Sequence, residues 1–339
     1  MLRWEIKKII KEKTSIIALV LLVVMFLQIS FMKPMLETQN EYFDESKNEY
    51  FIDKRDKEVI ANEKLQDKVG QISEIIKSIP SDGETKALSK ISNEKIKLDD
   101  GSKYENVDFY KVFSYRVDFG LSIMIMIIIL VMICSNLYVD EQISNVAPIM
   151  LSSKNKNKAL NSKLLIAIFL PVILYAVYIL GTGIITYIQY GKPLNGSLQA
   201  YRISDIALLI KPLTINQYVI GQMVTSLLML MGISLATLFS SFISDNSVKS
   251  IGLSVGFIAL AKILTMFKFL PVKVLQLLAI GNYVDVMMGM SKISGFYNGS
   301  ITVLSKSLDL SNLCVSIYSL IAVALVLGNI YCIKKVLTK

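Results

Sequence analysis

The apolar residues of this chain are gathered into blocks instead of alternating with polar ones. Six blocks approach or exceed the ~20 residues that a helix needs to cross the hydrocarbon core of a bilayer. They are Thr14–Met32, Phe119–Val139, Leu164–Gln189, Leu213–Ser244, Ser250–Phe267 and Leu310–Ile333. None contains a charged residue except the fifth, which Lys262 interrupts. The pattern predicts an all-α membrane protein with about six transmembrane helices.

The polar segments between the blocks have their own periodicities. Over residues 1–13, Leu2, Ile6, Ile9 and Ile10 recur at helical spacing while Arg3, Lys7, Lys8 and Lys11 project elsewhere. That pattern predicts an amphipathic helix lying in the headgroup plane and leading into the first span at 14–32. Its basic start before an apolar run has the look of a signal peptide. The run is too long for one, and no small-x-small site follows, so the reading is an uncleaved anchor. Residues 33–117 form the one long polar segment, in which Leu65, Val69, Ile72, Ile76 and Ile79 step by four and three as in a heptad seam. Pro80-Ser81-Asp82-Gly83 then breaks the helix, and Leu88, Ile91 and Leu98 mark a second one. The expectation is an antiparallel helical hairpin outside the membrane, serving either as a sensor or substrate grip, or as a spacer or dimer contact.

Residues 118–339 carry the other five spans. Within them, 140–163 form the main inner loop, with an acidic start, a short apolar centre and a Lys-rich exit at Lys163. Residues 270–309 are too apolar to stand free in water and too interrupted by Gly281, Gly289, Gly295 and Gly299 to span. Irregular backbone at membrane depth survives only against protein or a cavity, so a re-entrant segment on the outer side is expected.

Charge then fixes the expected orientation. Lys and Arg number 36 against 27 Asp and Glu, a formal net charge of +9. With the amino terminus inside, the inner segments hold Lys7, Lys8, Lys11, Lys13, Lys154, Lys156, Lys158, Lys163, Lys334 and Lys335, whereas the two shorter outer loops hold fewer basic residues. This is the positive-inside asymmetry, which places both termini in the cytoplasm. The excess meets anionic lipid, so no nucleic-acid partner is needed to explain it. Cys134, Cys314 and Cys332 lie in or beside spans, against a disulfide framework. The chain has no histidine, which excludes histidine metal sites and general bases. No paired carboxylates or serine-base arrangement stands at membrane depth, so no enzyme activity is expected.

An energy source is not evident either. The chain holds no G-x-x-x-x-G-K-[ST] phosphate loop, so nothing supports ATP binding on it. No acidic residue lies deep in a span, which weakens a proton or sodium relay. Lys262 is the one deep charge, either snorkelling or paired within the bundle, or touching substrate. Gln222 and Thr225 on the fourth span are further bundle-polar candidates, each an interhelical hydrogen bond or a pathway ligand. Gly252 and Gly256, and the row Gly232, Ala236, Ser240, offer close-packing seams.

Taken together, the amphipathic helix Leu2–Lys13, the inner loop from Glu141 through Leu151 to Lys163, the six-span order and the broken segment 270–309 resemble the permease subunits of ATP-binding-cassette transporters of the type-2 exporter class. The loop departs from the usual pattern at Ser144-Asn145 and Ser153-Lys154-Asn155. The resemblance implies a bacterial plasma-membrane exporter subunit, working as a homodimer or heterodimer with a second permease. A separate cytoplasmic ATPase would carry the ATP and Mg, and the exported substrate would be a peptide or other amphipathic molecule. It also implies that Asp140, Glu141, Ile143, Val146, Pro148 and Ile149, with Ile6 and Ile9 of the first helix, meet the ATPase. Asp140 and Glu141 otherwise end a helix and face water. The competing reading is a membrane sensor or secondary carrier that uses the outer domain for ligand recognition.

Overall fold

The computed structural model describes residues 1–78, 89–95, 97, 103–204, 211–267, 269–289, 291–303 and 306–338. The protein is mostly helical, and six helical segments are long and apolar enough to cross a membrane, as in a multi-pass membrane protein. The first helix, α1 (Leu2–Lys11), is separated from α2 (Lys13–Phe31) by the single extended residue Glu12, with φ −74° and ψ 149°. The later long helices are α5 (Gly120–Cys134), α8 (Lys156–Tyr190), α9 (Ile215–Ile243), α10 (Ser247–Leu264) and α14 (Leu310–Thr338). All six predicted spans are present. Their ends follow local chemistry. At the start of α9, Thr214 and Gln217 form a reciprocal capping box that satisfies two end donors.

Helix α9 is the hub, packing against α5, α8, α10 and α14. It is 72% buried over its most apolar window, against 11% for α10. Small residues and hydroxyls allow this contact and cross-link it. Ser234 Oγ donates to Ala167 O at 2.7 Å, and Asn329 Nδ2 to Leu235 O at 3.0 Å. Ser250 Oγ reaches Ser135 O at 3.0 Å. In an apolar surround such bonds each add about 0.6 kcal/mol, so they fix register more than they hold the bundle together.

Three hydrophobic clusters mark three levels. The middle one joins Met25, Met126, Tyr178, Met229 and Tyr318. A second, with Ile9 packed on Leu160, Phe242, Cys332 and Ile333, brings both ends of the chain to one face. On the opposite face, Leu65 and Ile72 meet Val107, Phe113, Tyr201 and Ile215. These two seam residues sit on α3 (Lys57–Ser78), as the heptad spacing predicts. Residues 89–95 are helical too, while Ile79, Pro80–Gly83, Leu88 and Leu98 lie outside the described residues.

Two features of the polar domain escaped the helical reading. Residues 41–52 form a β-hairpin of β1 (Glu41–Asp44) and β2 (Glu49–Ile52). Asn48 supplies the left-handed turn at φ 52°, and Phe43–Tyr50 pair across the strands with ring centroids 5.1 Å apart. Arg116, at the end of α4 (Asp108–Val117), is fully buried without a carboxylate partner among the described residues. It donates instead to Met32 O and Thr186 Oγ1, each at 2.9 Å, tying the ends of α2 and α8 together.

The broken segment before α14 folds as α11 (Val272–Gly281), α12 (Tyr283–Met287) and α13 (Ser291–Ser294). The hairpin of β3 (Ser300–Val303) and β4 (Lys306–Asp309) follows. Part of the broken segment packs against the bundle, while Val272, Val274 and Met288 stay exposed. Tyr283, Val286 and Ile293 belong to the middle cluster, and Tyr283 stacks on Tyr318 at 5.3 Å. Gly232 makes this possible: a Cβ there would stand 2.8 Å from Tyr283 Oη. The other glycine pair behaves differently. Gly252 and Gly256 face open space.

Candidate coupling site

The loop after the second long helix contains α6 (Val139–Ile143) and α7 (Val146–Ser152). Asn145 joins them in the left-handed conformation, φ 54°. Helix α8 begins at Lys156 rather than at Leu164, so it absorbs the Lys-rich exit of the loop. This extension carries Lys163 into the interior, where its side chain is wholly buried.

Lys163 gathers three elements. Its ammonium donates to Glu141 Oε1 on α6 at 2.6 Å, and to Glu5 Oε1 and Oε2 on α1 at 3.1 and 3.2 Å. Glu5 and Glu141 are 2% and 3% exposed. Lys8, one turn along α1 from Glu5, stands 3.7 Å from Glu141 Oε1 and brings the four charges to neutrality. Glu141 Oε2 is buried without a hydrogen bond among the described residues. Burial raises the Glu5 carboxyl above its ordinary 4.5 against the pull of Lys163, and the Glu141 charge adds to the rise. A buried pair of this kind contributes little net stability when intact, and losing one member costs about 3–5 kcal/mol. The cluster therefore specifies position: α1, α6 and α8 move together or the charges separate.

The sequence reading placed Glu141 either against a partner or facing water, and Lys163 in the basic exit of the inner loop. In the structure both side chains are buried and each finds its opposite charge inside the chain. Asp140 is half-buried beside them. Of the two α1 residues expected to meet the ATPase, Ile9 is half-buried against the bundle and Ile6 is exposed. Around the buried charges an apolar ridge is left uncovered: Ile143, Val146, Pro148 and Ile149 are all exposed, Ile149 by 70%. The signal for this site lay in the sequence as Glu5, but an acid among basic residues on a short helix does not name its partner 158 residues away.

The remaining candidates lie elsewhere. Lys262 on α10 pairs with both oxygens of Asp285 on α12, at 2.7 and 2.8 Å. Asn282 orients that carboxylate, donating to its Oδ2 at 3.0 Å and accepting from the Asp285 backbone N–H at 2.8 Å. Lys262 is thus paired with a carboxylate of its own chain, both side chains remaining partly exposed. Gln222 accepts from Ser114 Oγ at 2.8 Å, while Thr225 spends its hydroxyl on Gly221 O of its own helix, also at 2.8 Å. Compared with known proteins, the chain matches no family model and no curated sequence.

Proposed function

We propose that the chain is the membrane permease subunit of an ATP-driven ATP-binding-cassette exporter, coupled to a separate cytoplasmic ATPase. The observation that carries this reading is the Glu5–Lys163–Glu141 cluster. It joins the amphipathic helix to the loop after the second span, beneath an exposed apolar ridge at Ile143, Val146, Pro148 and Ile149. A charge cluster under a bare apolar surface is a lever: a displacement of α6 pulls on α8 and α1 through Glu141 and Lys163.

In this reading both chain ends lie in the cytoplasm of a bacterial plasma membrane, and the α3 domain lies outside. The exposed apolar and basic residues of α1, Leu2, Ile6 and Ile10 with Arg3 and Lys7, face the anionic inner leaflet. ATP and Mg belong to the partner, whose closure pushes the ridge. A second permease packs along α10, where Gly252 and Gly256 leave room for a close helix approach. The pathway then runs between the two bundles. A photo-crosslinking amino acid at Ile149 tests the surface directly. Capture of an ATPase subunit there, and not from a control site such as Ile220 on the lipid face, supports the reading; equal labelling at both sites contradicts it.

A further inference from the structure

The hairpin of β1 and β2 takes no part in the three hydrophobic clusters. Its base is closed by the Asp53 N–H on Asn40 O at 2.9 Å. Arg55 ties that base to α3, meeting Asp53 and Glu63 at 2.8 Å each. Beyond it the hairpin stands clear, with every residue from Glu45 to Tyr50 exposed. Among the described residues the sheet holds only these two strands, so both present an open edge. Cross-strand partners share a face. One face therefore carries Glu41, Phe43, Tyr50 and Ile52, and the other Tyr42, Asp44, Glu49 and Phe51. Each has an aromatic pair, with ring centroids 5.1 and 6.2 Å apart. Tyr50 and Ile52 are 77% and 66% exposed, which leaves a wide apolar surface in water.

Charge and geometry decide what covers it. A bilayer would gather the rings on one face, whereas the hairpin divides them two and two. A second copy would set like charges together, because residues 41–52 carry Glu41, Asp44, Glu45 and Glu49 against Lys47 alone. Glu41, Glu45 and Glu49 are exposed and make no ion pair among the described residues. A cation is what these groups lack. The rings accept one too: Lys47 Nζ already stands 4.8 Å from the centroid of Phe51. An open strand edge recognises an extended backbone, with alternate side chains falling on the two faces.

We propose that the hairpin binds an extended peptide, in which basic and apolar residues alternate, by strand addition. Backbone groups of the peptide pair with a hairpin edge. Its apolar side chains lie along Phe43, Tyr50 and Ile52, and its Lys or Arg side chains lie against Asp44, Glu49 and the rings of Tyr42 and Phe51. Each strand is four residues long, about 13 Å, so a segment of about four to six residues covers it. The inference goes beyond the permease reading and does not rest on it; binding is a property of this chain.

The test uses the full chain in phosphatidylcholine nanodiscs, without any ATPase, and dye-labelled peptides read by fluorescence anisotropy against empty nanodiscs. The probes are acetyl-Lys-Phe-Lys-Ile-Lys-Phe-amide, the same peptide with Glu for Lys, and the lysine peptide N-methylated at alternate residues. The lysine peptide is expected to bind about tenfold or more tighter than either of the others. Tyr50→Ser and Glu49→Lys are each expected to weaken it about tenfold, with no change in melting temperature because both positions are exposed. Equal affinity for the lysine and glutamate peptides, equal affinity after N-methylation, or binding indifferent to Tyr50→Ser would each overturn the proposal. So would either rival occupant. A bilayer would show as quenching of Tyr50→Trp, in a Trp4→Phe background, by brominated phosphatidylcholine. A second copy would show as peptide-free association that Tyr50→Ser abolishes. Because no ATPase is present, failure here leaves the crosslink at Ile149 untouched, and the reverse holds too.

Discussion

Lys163 and Glu141 are 22 residues apart in the chain and 2.6 Å apart in space, with no water-exposed surface on the lysine side chain. The contact exists because α8 runs on past its apolar block and buries a cation that sequence pattern alone leaves at the boundary. Glu5, reaching the same ammonium from α1, turns a local pair into a three-way junction.

Removing the cation leaves two buried carboxylates facing each other. Lys163→Met is expected to destabilise the chain by about 3–5 kcal/mol, measured by thermal unfolding in detergent. Adding Glu5→Gln and Glu141→Gln to that variant restores most of the loss, since replacing a whole buried ionic group is often near neutral. A non-additive recovery of this kind identifies a coupled cluster.

Acid acts oppositely on the two faces of the molecule. Burial works to raise the Glu37 pKa, but Lys68 and Lys111 outweigh it and hold the carboxyl below 4.5. A depressed carboxylate contributes stability above its unfolded pKa and loses it as pH falls through the folded value. Glu5 has a raised folded value. Its contribution is complete below 4.5 and is lost as pH rises through the folded pKa. Acidification is thus expected to loosen the α3 domain while tightening α1. Spin labels at Lys57→Cys and Lys7→Cys report each face separately. Glu37→Gln should abolish the first trend, and Glu5→Gln the second.

The glycines separate packing within the chain from packing between chains. Gly232→Ala places a methyl 2.8 Å from Tyr283 Oη, and the ring cannot withdraw easily because Tyr318 and Phe257 hold it on two sides. The expected cost is about 1–3 kcal/mol, read by thermal unfolding of the purified chain. Gly252→Leu and Gly256→Leu meet nothing in the single chain and should leave its melting temperature unchanged. In the proposed dimer the same two substitutions weaken association, read by size-exclusion chromatography with light scattering.

The bundle was legible in the sequence because membrane helices are written as long apolar blocks, and α2 starts and ends within a residue of the expected limits. The α3 seam was legible for the same reason: Leu65 and Ile72 follow a period that only one face can bury. The hairpin at 41–52 was not. Its strands are four residues each, and Lys, Glu and Asn around them carry a helical or disordered average that hides the aromatic cross-strand pairs. The Glu5–Lys163–Glu141 cluster was half legible. Glu141 drew attention by its place in the loop, but burial of Lys163 depends on where α8 lies against α1, which is tertiary packing and leaves no periodic trace. Lys262 stood out as the one charge in a span, whereas Asp285 was hidden in a segment with no regular pattern.

The central claim, that a separate ATPase drives this chain through the ridge above Glu141 and Lys163, is tested most directly by purifying it from its native host in mild detergent. The account predicts a stoichiometric subunit with ATP-binding motifs that co-purifies with the chain and is lost from the Ile149→Asp variant, while that variant keeps its melting temperature. A chain that emerges without any ATPase, under conditions that hold a known transporter complex together, would contradict it.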